Sequence, residues 1–258
     1  MYCRPRIIPT LLIDDGMMVK TSKFTNSRYL GDIINAVRIF NNKGADELCI
    51  LDIGATKKAQ DPDKELLHDI ATEAFMPLSY GGGICRIEQV KSLFRSGFEK
   101  VIFNTALIRN PGLVRETVNF AGSQSVVASI DVKEEMFRRE SCWIEDGRTK
   151  TGKTPVEMAR YAEKLGAGEI LLTSINREGS MKGYNINLVK NVADAVGIPV
   201  IANGGAGCVE DFRKVLEEGH ADAAAAGSMF VYYGRNRAVL INMPEEDELE
   251  RAEVYKNT

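Results

Sequence analysis

The chain has 258 residues, 44% of them hydrophobic and 27% charged, with a net charge of -3 at neutral pH. That composition supplies a sizeable apolar core and gives no electrostatic reason to expect nucleic acid or an anionic membrane as a partner. Its apolar runs fall short of the roughly 18 residues that span a bilayer, and the opening MYCRPRIIPT lacks a signal-peptide core, so a cytoplasmic protein is expected.

Taken in chain order, short β-rich runs alternate with helical patterns. Strands are predicted over 6–13, 47–53, 77–80, 100–104, 125–131, 168–174, 199–203 and 222–227, with helices over 61–74, 86–96, 112–121, 155–165 and 208–218. Helical stretches stop at glycines such as Gly97 and Gly166. Eight continuous apolar strands separated by helices predict parallel βαβ units, and eight units in this length predict an α/β fold, a single (β/α)8 TIM barrel over residues 1–233. The insert after Asp131, EEMFRRESCWIEDGRTK, predicts a two-stranded flap turning near Asp146-Gly147. Residues 234–258 read as an irregular C-terminal tail.

The chain also repeats itself. DELCILDI at 46–53 matches GEILLTSI at 168–175, and PLSYGGGICRIEQ at 77–89 matches PVIANGGAGCVED at 199–211, both at an offset of 122 (168 − 46 and 199 − 77). An offset held over several strand–helix units predicts two duplicated half-barrels. The duplication exposes one asymmetry. Strand 5 ends its SVVASID run in Asp131, whereas the matching position of strand 1 in RIIPTLL is Leu12.

Glycine-rich turns follow strands 3 and 7, GGG at 81–83 and NGG at 203–205, and Asn104-Thr105 and Gly227-Ser228 follow strands 4 and 8. Backbone N–H groups at such turns hold anions, and paired turns on opposite sides of one mouth suit a small molecule with a phosphate at each end. The phosphate-binding candidates are Gly83, Asn104 and Thr105 in one cup, and Gly179, Gly205, Gly227 and Ser228 in the other. Asp131 is the acid–base candidate, with Lys20, Asp14, Asp52, Asn176 and Glu178 on loops of the same face. A turn role serves Asp14 and Asp15 at least as well. At the opposite end Arg6, Glu47, Lys100 and Glu169 stand at strand starts. They are either solvated edges or a ring of ion pairs across the barrel bottom. Five cysteines without CxxC spacing predict reduced thiols, and two isolated histidines give no metal site, so neither metal nor cofactor is expected.

Together RII, DDG, YGGGI, NTA, SIDVK, GAGEILLTSI, KGY and GGAG resemble the cyclase subunit of imidazole glycerol phosphate synthase, over about residues 4 to 232. The resemblance implies a glutaminase subunit docked 1:1 on the barrel bottom, beside Glu99, and ammonia passing through a gate of Arg6, Glu47, Lys100 and Glu169. It also implies a bisphosphorylated ribosyl-formimino aminoimidazole substrate at the mouth, and catalytic aspartates at the ends of strands 1 and 5. One falls on Asp131 and the other on Leu12, which transfers no proton. With Asn176, Glu178 and the RNRAVLINMP ending, this departure resembles the branch found with surface-polysaccharide genes, the glycosyl amidation-associated proteins (WbuZ). That branch implies ammonia delivery for amidation of a sugar, with an N-acetyl sugar amidotransferase as a third component. The working cyclase of histidine biosynthesis is the alternative.

Overall fold

The computed structural model describes residues 2–257, and of Tyr2, Cys3, Arg138 and Asn257 it describes the backbone alone. Eight parallel strands close into a barrel: strand 1 (Arg6–Asp14), strand 2 (Leu48–Asp52), strand 3 (Leu78–Gly81), strand 4 (Lys100–Phe103), strand 5 (Val126–Glu134), strand 6 (Glu169–Ser174), strand 7 (Val200–Asn203) and strand 8 (Ala223–Ala226). Closure is made where Ala223 pairs with Arg6 and Ala226 with Pro9. Strands 3 and 7 keep the offset read from the sequence, since 200 − 78 = 122 and 203 − 81 = 122.

Alternation along the strands builds two cores. On strand 1, Ile7, Leu11 and Ile13 turn outward and pack with Val37 and Phe40 of the helix Ile33–Asn42. Ile8 turns inward to meet Cys49, Ile102, Val127, Leu171, Ile201, Ala223 and Ala225 inside the barrel. A pleated strand presents alternate residues to opposite faces, so each strand serves the helical shell and the barrel interior at once.

The helices follow local signals. Helix Pro155–Leu165 begins with Thr154 and Glu157 in a capping box and proline in its first turn, and Gly166 ends it. Helix Ile33–Asn42 is capped by Asp32, whose side chain accepts from the Asn35 N–H.

Two hairpins rise above the barrel on the side of the strand C-termini. Strand 1 turns back through Met17–Ser22, which pairs with Thr25–Gly31. Strand 5 turns back through Glu140–Ile144, which pairs with Thr149–Lys150. This second hairpin is the flap predicted around Asp146-Gly147; the first is an addition to the predicted elements.

The tail expected to be irregular from residue 234 is corrected by the structure. Ala238–Val239 pairs with Tyr232–Tyr233, Glu246–Arg251 is helical, and Lys256–Asn257 pairs with Tyr2–Cys3. Met243, Leu249, Val254 and Tyr255 are buried in the same core cluster as the barrel helices. The Tyr255 hydroxyl donates to Asp46 Oδ2 at 3.2 Å, and the same oxygen accepts the Ile7 N–H at 3.1 Å. The tail is therefore fastened to the barrel end where strand 1 begins.

Cys49, Cys85, Cys142 and Cys208 are free thiols, while the Cys3 thiol lies outside the described side chains. Among the described residues no helix is long and apolar enough to cross a membrane, and no group of His, Cys, Asp or Glu is placed to hold a metal ion.

Candidate active site

The mouth of the barrel holds one cavity of about 450 Å³, and its lining includes Leu12, Lys20, Gly83, Asn104, Thr105, Asp131, Gly179, Gly205, Gly227 and Ser228. Every predicted phosphate-binding and catalytic position thus faces one space, brought there from the C-terminal ends of the strands and the loops after them.

The two cups have related construction. After strand 4, Asn104 caps the short helix Thr105–Arg109, and after strand 8, Gly227 caps the short helix Ser228–Val231. Their free N–H groups and partial positive charge favour an anion. Close backbone approach forces the glycine at position 205. Its φ is +124°, and a Cβ there would lie 2.2 Å from the Gly183 carbonyl oxygen, so no other residue fits without moving backbone. Gly83 repeats the situation in the other half, with φ +65° and a would-be Cβ 2.6 Å from the Gln60 carbonyl. The buried Ser228 hydroxyl has no hydrogen-bond partner among the described residues, which leaves it free to donate to a ligand oxygen.

Asp131 lies on the inner face of strand 5, 8% exposed, and accepts from Asn104 Nδ2 at 3.1 Å. Burial, joined by the nearby charge of Asp146, pushes its carboxyl up to about 7 against the opposing hydrogen bonds of Thr173 and Ser129. A carboxyl poised there exchanges a proton at neutral pH. Leu12 is buried in the same cavity and carries no titratable atom.

Lys20, from the first hairpin, is buried and makes an ion pair with the equally buried Glu178 on the loop after strand 6. Glu178 also accepts the Phe24 N–H at 3.2 Å, so it ties the hairpin to the far side of the mouth. A Cβ on Gly227 would lie 3.6 Å from Lys20 Nζ, which places the ammonium beside the second cup.

The remaining mouth residues are held in structural bonds. Asp14 and Asp15 both pair with Lys58, at 2.7 and 2.5 Å. Asp52 accepts the N–H groups of Gly54 and Ala55 at 3.0 and 2.9 Å, a turn role. Asn176 clasps the backbone of Glu134, accepting its N–H at 2.8 Å and donating to its carbonyl at 3.2 Å. Asp146, read from the sequence only as a flap turn, lines the cavity as well.

At the other end the four strand-start charges form a closed ring. Arg6 donates to Glu47 Oε2 and to Glu169 Oε1, each at 2.6 Å, and Lys100 Nζ reaches Glu47 Oε2 at 3.0 Å and Glu169 Oε2 at 2.8 Å. Each cation touches both anions. Burial lowers the Arg6 guanidinium, but Glu169 and Glu47 outweigh it and its pKa is raised. The Glu47 side chain is only 4% exposed and Lys100 15%, so the ring sits inside the barrel end rather than on an outer edge. Glu99 is exposed next to it.

Comparison with known proteins agrees with this arrangement. The family model described as "Histidine biosynthesis protein" matches residues 6–237. A Leptospira interrogans protein provisionally named imidazole glycerol phosphate synthase subunit HisF is 44% identical over 248 residues, spanning 96% of this chain and 98% of its own. A Pseudomonas aeruginosa protein provisionally named subunit hisF2 of that synthase is 45% identical over 247 residues, with 96% and 98% covered. The imidazole glycerol phosphate synthase subunit HisF of Alkaliphilus metalliredigens is 41% identical over 227 residues, covering 88% and 90%. With one family model spanning all eight strands and relatives this similar along nearly their full length, the chain belongs to the histidine biosynthesis protein family, as a HisF-like barrel.

Proposed function

We propose that this barrel accepts ammonia from a glutaminase subunit docked on its bottom face and delivers it through the interior for amidation of a sugar, its own cyclase chemistry being weakened. The observation that carries the reading is the contrast between the complete ion ring at the bottom and Leu12 at the mouth. Ammonium must shed its proton to cross the apolar interior above the ring, because burying the charge is far costlier than burying neutral ammonia. The interior there is built from Ile8, Val127, Leu171 and the small side chains Ala223 and Ala225. In this reading Arg6, Glu47, Lys100 and Glu169 are the gate, and Glu99 is part of the docking rim.

Related proteins carry names that fit a paralogue. The Pseudomonas relative is provisionally numbered hisF2, and a Vibrio vulnificus relative, 41% identical over 250 residues, is provisionally numbered hisF3. The sugar and the N-acetyl sugar amidotransferase are proposals drawn from the resemblance alone.

The second reading, a working cyclase of imidazole glycerol phosphate synthase, is favoured by the two cups and by the Alkaliphilus relative's name. Mixing the chain with a glutaminase subunit tests the common part. A 1:1 complex with accelerated glutamine hydrolysis is expected, weakened by charge reversal at Glu99; no co-elution and no change in hydrolysis would end both readings. Turnover of the cyclase substrate at the rate of an enzyme carrying the strand 1 aspartate would decide for the second.

A further inference from the structure

Strand 5 does not stop at the mouth. It runs on to Glu134 and returns antiparallel, so that Trp143 lies across from Asp131. The returning strand pairs Ile144 with Thr149, which leaves Glu145–Arg148 as the loop of the flap. That loop is fastened to the first phosphate cup, with the Glu145 N–H donating to Thr105 Oγ1 at 3.2 Å and Asn104 Nδ2 to the Trp143 carbonyl at 3.4 Å. The same Asn104 nitrogen reaches Asp131. On its other side the loop meets the first hairpin, where a Cβ on Gly147 would lie 3.2 Å from the Phe24 ring.

The backbone of the loop is unusual. Glu145, Asp146 and Gly147 are left-handed in succession, at φ 57°, 57° and 73°. Only glycine takes that conformation freely, so two non-glycine residues there are held by their surroundings. The result turns the Asp146 side chain into the cavity shared by Asp131 and Leu12, with about a third of its surface still open.

Resting on the function proposed above, we propose that Asp146 is a second proton-transfer group of the mouth, supplied by the flap where strand 1 offers only Leu12, and that it works with Asp131 on ammonia addition to a phosphorylated substrate. The substrate class is a small phosphorylated molecule with an electrophilic carbonyl or imine carbon. Ammonia's nitrogen forms the new bond to that carbon, and the π electron pair moves onto the oxygen or imine nitrogen. That atom takes the proton of Asp131, while the added nitrogen gives one of its protons to the Asp146 carboxylate. One proton has then moved from Asp131 to Asp146 and returns through solvent at the open side of the loop.

The electrostatics favour this division of roles. Burial, ahead of all other influences, pushes Asp146 up to about 6, and Asp131 stands at about 7. The groups facing Asp146 are Arg148 at 3.3 Å and Lys57, which favour its ionised form, and Asp52 and Asp14, which oppose it, while Asp146 in turn raises Asp131. Two raised carboxyls of unequal burial, Asp131 closed in at 8% exposed and Asp146 about a third open to solvent, suit an acid and a base. Asp14, the nearer substitute in sequence, is held by Lys58 at 2.7 Å, closer than the 3.3 Å at which Arg148 approaches Asp146.

The test uses the full chain with ammonium chloride and the bisphosphorylated ribosyl-formimino aminoimidazole substrate. Asp146→Asn keeps the size, the left-handed turn and a hydrogen bond to Arg148, so a merely structural residue would tolerate it. We expect kcat to fall by about 10²-fold with KM unchanged, and the loss to vanish in a Leu12→Asp background. In ¹³C NMR titration, Asp146→Asn should also lower the Asp131 carboxyl pKa. An unchanged kcat, an unshifted Asp131 titration, or wild-type turnover no faster than Asp131→Asn would each overturn the assignment. Glutaminase docking depends on the other end of the barrel, so failure there would sink the function reading, whereas failure of the Asp146→Asn kinetics would sink this assignment alone.

Discussion

The bottom and the mouth of this barrel differ in completeness. At the bottom each of two cations touches both of two anions, and no member of the ring lacks a counter-charge. At the mouth the two cups and Asp131 remain, but strand 1 presents Leu12 where its repeat partner presents an acid. Buried ion pairs contribute little net stability compared with well-packed apolar side chains. A closed ring inside a barrel end is therefore poorly explained by folding alone, and well explained by passage of a small polar molecule. The mouth is different: it keeps two cups of related construction, while one of two repeat-related strand ends carries no titratable group.

The sharpest way to break that contrast is Leu12→Asp. It should raise turnover of the cyclase substrate by about 10²-fold or more, measured as kcat with ammonia supplied directly. No gain would mean that the mouth differs in more than one acid. Next in size is a pH effect. The Asp131 carboxyl is raised from 3.8 to about 7, so its neutral form is favoured in the folded state. The stability tied to it is full below pH 4 and is lost as pH rises through about 7, a decline on the order of a few kcal/mol. Urea unfolding from pH 4 to 8 should show the decline in the wild type and a flatter profile in Asp131→Asn.

At the bottom, Glu47→Gln leaves Arg6 and Lys100 facing one anion instead of two. Removing one charge of such a buried set should cost about 3 kcal/mol, again read by urea unfolding, and a neutral result would make the ring a surface feature. The smallest expected effect sharpens the comparison between the two cups. Gly205→Ala places a methyl against the Gly183 carbonyl and should weaken inorganic phosphate binding at that cup at least about tenfold, near 1.4 kcal/mol. The Gly83 cup should bind as before, and calorimetry distinguishes one site lost from both.

Much of this was legible in the sequence because it depends on short-range patterns. Continuous apolar runs marked the eight strands to within about a residue at every end but one, since strand 5 runs on from residue 131 to Glu134. The charges at strand starts left a solvated edge and an ion ring both open until the family resemblance favoured the ring. What escaped depends on pairing across the fold. The hairpin Met17–Gly31 has no continuous apolar run, and it becomes a sheet only because strand 1 extends past the barrel and pairs Leu12 with Val19. The tail helix Glu246–Arg251 is mostly charged, and its position is set by buried Leu249 and by the Tyr255 hydroxyl on Asp46. Lys20 and Glu178 find each other across 158 residues, so a loop lysine and a loop glutamate gave no hint of a buried ion pair. Asp146 read as a turn because only the returning hairpin decides what it faces.

The central claim is that ammonia reaches the mouth through the ring and the interior rather than from solvent. It is tested by giving the barrel–glutaminase complex [amide-¹⁵N]glutamine in excess unlabelled ammonium and reading the nitrogen built into the product, using Leu12→Asp with the cyclase substrate. The account predicts product enriched in ¹⁵N well above the bulk ammonium pool, with the enrichment lost in Lys100→Ala while the complex still forms. Product nitrogen matching the bulk pool in the intact complex would contradict it.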